Sequence, residues 1–112
     1  MDNSQPKKTS TGLQPNVAAL LAYLAGWITG LIFYLIEKEN KFVRFHAMQS
    51  IVVFGAFTVL TIVLTFIPVI GWALLPIAYL VELALWVICM FKAYKNETFK
   101  LPIAGDIAEK NS

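Results

Sequence analysis

The sequence predicts an all-α polytopic membrane protein. It reads as three transmembrane helices, a short cytoplasmic connector and a membrane-surface C-terminal tail. Three observations predict this. The 45 residues from Ala47 to Phe91 hold a single charge, Glu82. A bilayer span needs about 20 apolar residues, so this run is long enough for two. A further uncharged stretch, Val17 to Ile36, lies upstream. The 112-residue chain is 58% hydrophobic and only 14% charged, well below the roughly 25% charged residues of soluble domains. Long continuous runs favour helices over a barrel, which needs short alternating segments.

Residues 1–16 are polar and punctuated by Pro6, Gly12 and Pro15, the composition of a disordered tail. Asn16 is placed to cap the first helix, expected over 17–36. That span is longer than the h-region of a signal peptide and lacks an A-x-A cleavage pattern, so it reads as part of the mature protein. A charged connector follows, Glu37 to His46. The second helix is expected over 47–67, a tight turn over 68–72, and the third helix over 73–91. Pro76 would then fall in the first turn of the third helix, where its missing N–H costs little. Residues 92–110 form the tail. Phe99, Leu101, Ile103 and Ile107 make it too apolar to float free. Residues 17–110 thus read as one membrane domain.

Lys38, Lys41, Arg44, Lys92, Lys95, Lys100 and Lys110 fall on the connector and tail, against Lys7 and Lys8 at the N-terminus. The positive-inside rule then places the connector and C-terminus in the cytoplasm and the N-terminus outside a cell membrane. The net charge of +2 is too small to argue for nucleic acid. The lipid bilayer is the expected partner, with other membrane proteins or a second copy of the chain beside it. One cysteine, Cys89, and one histidine, His46, supply no metal-ligand spacing and no intrachain disulfide. No cofactor and no catalytic residue is expected, because no base is placed beside a nucleophile. The sequence points away from an enzyme.

Three residue sets carry what polar or packing chemistry there is. Ala18, Ala22, Gly26 and Gly30 recur every fourth residue, a groove of small side chains into which another helix can settle. Thr58 and Thr61 come level with Glu82 and Tyr79 when the second and third helices fold about Pro68–Gly71, an expected polar seam inside the membrane. Glu82 is costly at that depth, about 2.5–3.5 kcal/mol on insertion scales. It therefore either pins helices together or serves function. Arg44, His46, Gln49 and Ser50 gather at the start of the second helix. His46, Gln49 and Ser50 share a face and read as a cluster at headgroup level.

The block Glu37-Lys38-Glu39-Asn40-Lys41-Phe42-Val43-Arg44-Phe45-His46-Ala47-Met48-Gln49-Ser50, together with Leu101-Pro102-Ile103-Ala104-Gly105-Asp106, resembles the signatures of a known family. Its members are small uncharacterised prokaryotic membrane proteins, grouped with the import component of the Tic translocon of the chloroplast inner envelope. The resemblance covers about Thr11 to Lys110. It implies a membrane location and, by distant analogy, a part in protein import or insertion. The plastid members are described with four spans, one more than the sequence shows here. Two roles stay open: a non-enzymatic subunit that binds other membrane segments or assists translocation, and an oligomeric small-solute or ion channel lined by Glu82.

Overall fold

The computed structural model describes residues 9–112. Its helices are α1 (Pro15–Leu24), α2 (Trp27–Ile36), α3 (Lys41–Thr65), α4 (Ile70–Tyr94) and α5 (Ala104–Lys110), with no strand among the described residues. Among the described residues, only α3 and α4, 25 residues each, are long and apolar enough to cross a membrane.

The third expected span is not one helix. Residues 17–36 break at Gly26, whose φ of 65° and ψ of −134° lie where a side chain is not tolerated. Each piece has 10 residues and is about 15 Å long at 1.5 Å per residue, half of a bilayer core. The two pieces run in opposite directions. Asn16, at the start of α1, bonds the Tyr94 carbonyl at the end of α4, and Trp86, further back along α4, bonds the Tyr23 carbonyl. α1 is therefore antiparallel to α4. Along α3, Gly26 meets Ser50 and Phe54, Gly30 meets Ala47 and Ser50, and Tyr34 meets Arg44. α2 is therefore antiparallel to α3. Since α3 and α4 form a hairpin, α1 and α2 form a second, shorter one that enters beside the charged ends and returns to them. Ser10 and Glu37 close its mouth, the Ser10 N–H donating to Glu37 Oε2 at 2.8 Å.

This corrects the expected topology. There are two candidate spans and a short α1–α2 hairpin that returns to the charged end, and residues 9–14 lie beside the connector rather than on the opposite face. Those residues are docked to it, with Lys38 N–H donating to Ser10 Oγ. The remainder of the expected disordered tail, 1–8, lies outside the described residues. Among the described residues, every Lys and Arg sits at this one end. The far tip, Phe66 to Val69, has none.

Smaller corrections follow from helix ends. Asn40, not Asn16, is an N-cap: its side chain accepts from the Val43 N–H at 3.1 Å, so α3 starts at Lys41 and absorbs most of the connector. Asn16 is already inside α1. The tip is residues 66–69, and α4 starts earlier than expected, which leaves Pro76 inside it. The tip is clipped by Trp72 Nε1 donating to the freed Thr65 carbonyl at 2.9 Å. Gly71 is required there, because a Cβ would overlap the Leu64 carbonyl oxygen.

The core sits at the charged end. Tyr23, Phe42, Phe54, Cys89, Leu101 and Ala104 join helices α1, α3, α4 and α5 in one apolar cluster. The C-terminal segment thus packs near Phe42, as its apolar residues required. At the far end, α3 and α4 stand alone and expose Ile77, Leu80 and Leu83.

Candidate functional site

A helix break frees backbone groups that lipid cannot satisfy. Here side chains take them up. The Tyr23 carbonyl accepts the Trp86 indole N–H at 2.7 Å, the Gly26 carbonyl accepts the Ser50 hydroxyl at 2.8 Å, and the Ala22 carbonyl accepts the Thr29 hydroxyl at 3.1 Å. The hairpin tip is thereby pinned to both α3 and α4. Beyond it lies a cavity of about 380 Å³ whose walls include Gly26, Trp27, Phe54, Thr58, Tyr79, Glu82 and Trp86. Non-helical backbone at membrane depth is tolerated where it is buried or lines a cavity. This break does both.

Glu82 stands halfway along α4, about 18 Å from either end at 1.5 Å per residue. It makes no hydrogen bond or ion pair among the described residues. The expected seam is thus assembled in part. Thr58, Tyr79 and Glu82 share the cavity, but the hydroxyls are spent elsewhere: Thr58 donates to the Phe54 carbonyl at 2.8 Å and Thr61 to the Thr58 carbonyl at 3.0 Å. Such bonds within one helix are the ordinary habit of threonine in lipid. Thr61 lies outside the cavity wall.

The groove residues are spread along the hairpin. Ala18 and Ala22 are buried on α1 and Gly30 on α2. A Cβ on Gly30 would come within 2.9 Å of the Ala47 carbonyl and Ser50, so glycine there lets α2 touch α3. Gly26 does not extend a groove at all; it makes the turn.

The cluster at the start of α3 is buried within the charged end of the molecule. His46, Gln49 and Ser50 are fully buried, because their shared face points at α1 and the C-terminal segment. Their bonds form one consistent chain. Gln49 Nε2 donates to Tyr23 Oη at 2.9 Å and to the Phe99 carbonyl at 2.8 Å, while Gln49 Oε1 accepts the Leu101 N–H at 2.9 Å. Tyr23 Oη lies 2.7 Å from His46 Nδ1, and His46 Nε2 lies 2.9 Å from the Glu97 carbonyl. A carbonyl only accepts, so Nε2 carries the proton and Nδ1 accepts from the tyrosine. Every member has a partner, which makes this a device for tying the tail to α3. Arg44 donates to the Tyr34 and Glu37 carbonyls at 2.9 and 2.7 Å and lies over the Tyr34 ring. It closes α2 onto α3.

Glu37, which sequence reasoning placed only in a charged connector, is the second buried polar centre. Its Oε2 accepts N–H groups from Ser10, Asn40 and Glu39. Burial pushes the carboxyl upward, but those donors outweigh it and hold the group below its ordinary 4.5.

A charged end knitted to a short helical hairpin, with two candidate spans running beyond it, is the build of a small integral membrane protein. By sequence, the chain belongs to the magnetosome magnetite crystal formation protein family, whose sequence model matches residues 9–108. It is also similar to a UPF0132 membrane protein of Methanocaldococcus jannaschii, 56% identical over 105 residues that cover 94% of each chain. A UPF0132 membrane protein of Archaeoglobus fulgidus is 56% identical over 98 residues, 88% of this chain and 95% of its own. A second M. jannaschii relative is 44% identical over 99 residues, 88% of this chain and 71% of its own. No solved structure matches. These matches bear out a family of small prokaryotic membrane proteins, not its grouping with the Tic translocon.

Proposed function

We propose that this protein is a non-enzymatic membrane subunit that binds a transmembrane segment of another protein along the bare face of α4. One observation carries the reading. Only 11% of the apolar window of α4 is buried, against 39% for α3, yet α4 bears the carboxylate of the cavity beside the helix break. A span that serves only to anchor has no use for a charged notch at its midpoint. Assistance to protein insertion or translocation is one task such a subunit performs. The topology proposed with it has the charged end in the cytoplasm of a cell membrane. Lys7 and Lys8 directly precede Thr9 in sequence, so under this topology they need no export.

The mineral role in the family's description is not carried over. The cavity offers one carboxylate among aromatic and hydroxyl groups, not the oxygen-rich set that hard metal ions take.

The test is a photoreactive residue at Leu80, Leu83 or Val87 in the native membrane. The reading expects one shared adduct whose crosslinked peptide lies in a transmembrane segment. Lipid adducts alone at all three positions would refute it. A second reading, an oligomeric channel, is favoured by the re-entrant break, since such backbone lines aqueous paths in channels. It expects unit conductances from the purified chain in a planar bilayer that change on Glu82→Gln.

A further inference from the structure

We propose that the cavity at the helix break binds a small organic ammonium ion with an apolar body. The walls select this class. Four aromatic side chains, Trp27, Phe54, Tyr79 and Trp86, line the cavity with the Glu82 carboxylate among them. Aromatic faces and a carboxylate together are the recognition set for an ammonium group: the rings attract the cation through their quadrupoles and the carboxylate supplies the counter-charge. Two of the four rings are set in place by the fold. Trp86 is fixed by its bond to the Tyr23 carbonyl, and Phe54 is buried with its ring edge-on to Tyr23 at 6.2 Å between centroids.

Other ligand classes fit less well. An anion would face Glu82. A neutral apolar molecule would leave the carboxylate without a counter-charge at mid-membrane depth. A calcium or magnesium ion takes six or more oxygens, and one carboxylate with two hydroxyls falls short. No cation among the described residues lines the cavity: no Lys or Arg occurs between Phe45 and Phe91, Arg44 is held by the Tyr34 and Glu37 carbonyls, and Lys92 is paired with Glu97 at 3.1 Å. The volume of about 380 Å³ lies within the roughly 300–1,000 Å³ of small-molecule sites. With Tyr79 and Trp27 partly exposed, the cavity opens sideways, so a ligand with an apolar body can reach it from the bilayer. The cavity shares Glu82 and Leu83 with the α4 face proposed to dock a partner, so ammonium binding is read on the isolated chain, where no partner is present.

The test uses the purified full chain in a maltoside detergent, which carries no choline group. Trp72 lies outside the cavity, so a Trp72→Phe background leaves the emission of Trp27 and Trp86 as the readout. Benzyltrimethylammonium should change that emission saturably. Its neutral isostere, neopentylbenzene, should bind at least ten-fold more weakly. Glu82→Gln should lose at least ten-fold in affinity with an unchanged helical circular-dichroism spectrum. The proposal is overturned by equal binding of cation and isostere, by no saturable change, or by a folded Glu82→Gln chain that binds as tightly as its parent. Should Glu82→Gln fail to fold, the carbon-13 resonance of the Glu82 carboxyl in the unaltered chain decides: it must shift on saturation with the cation, and an unmoved resonance overturns the site.

Discussion

The two halves of this molecule treat polar groups in opposite ways. At the charged end four helices and the C-terminal segment surround Tyr23, His46, Gln49 and Ser50, and each of these finds its partner across helices. In the far half only α3 and α4 remain. Their threonines bond their own helix, and Glu82 bonds nothing among the described residues. The difference teaches where the fold stores its stability and where it keeps chemistry uncommitted. A satisfied buried network locks one arrangement. A carboxylate left without a partner is available to something else.

Breaking the satisfied half should have the largest effect. Gln49→Leu strands the Tyr23 hydroxyl contact, the Phe99 carbonyl and the Leu101 N–H together. Each orphan costs about 1–3 kcal/mol, so a loss of about 3 kcal/mol or more is expected in detergent unfolding. Hydrogen exchange over 97–108 should accelerate with it. Retained slow exchange in the tail would show that the apolar contacts of Leu101 suffice.

Gly30→Ala should come next. Its new methyl meets the Ala47 carbonyl and Ser50, so α2 must lift off α3 at a cost of about 1–3 kcal/mol. A stability equal to that of the parent would mean the hairpin is not seated on α3.

Glu37 supplies a pH-dependent case. Its carboxyl is held below 4.5 in the fold, so its contribution is present above that value and is lost as pH falls through the lowered one. Thr9 to Gln14 should therefore undock from the connector only in acid below the ordinary carboxylate range, read by amide exchange. In Glu37→Gln that acid step should vanish, with the segment already looser at neutral pH.

The smallest effect belongs to the far half. Thr61→Val removes a hydroxyl bonded only within its own helix and should change stability by about 0.5 kcal/mol or less. A loss several times larger would restore the interhelical seam expected from the sequence.

Helix content and the α3–α4 hairpin were legible because apolar runs and the Pro68–Gly71 interruption are local signals. The break at Gly26 was not. Two half-length helices that return to their starting face have the same composition as one full span, and both end at Glu37. Nothing local separates them; the separation is made by Ser50, Trp86 and Glu37, residues 24, 63 and 27 positions away from their partners at the hairpin. The shared face of His46, Gln49 and Ser50 was readable from helical spacing. Its burial was not, because its partners at Glu97, Phe99 and Leu101 lie about 50 residues on. The place of Glu82 midway along its helix was legible, while the aromatic walls around it depend on a break that sequence pattern does not announce.

The central claim is that α1 and α2 enter and leave on one face. It is tested most directly by single cysteines at Leu13, Glu39, Asn111 and Phe66 in a Cys89→Ala background, all four positions being exposed. An impermeant thiol reagent is applied to intact cells and to inverted vesicles. The re-entrant hairpin predicts that Leu13, Glu39 and Asn111 label together from one side and Phe66 from the other. Labelling of Leu13 from the same side as Phe66 would contradict it and restore a span over residues 17–36.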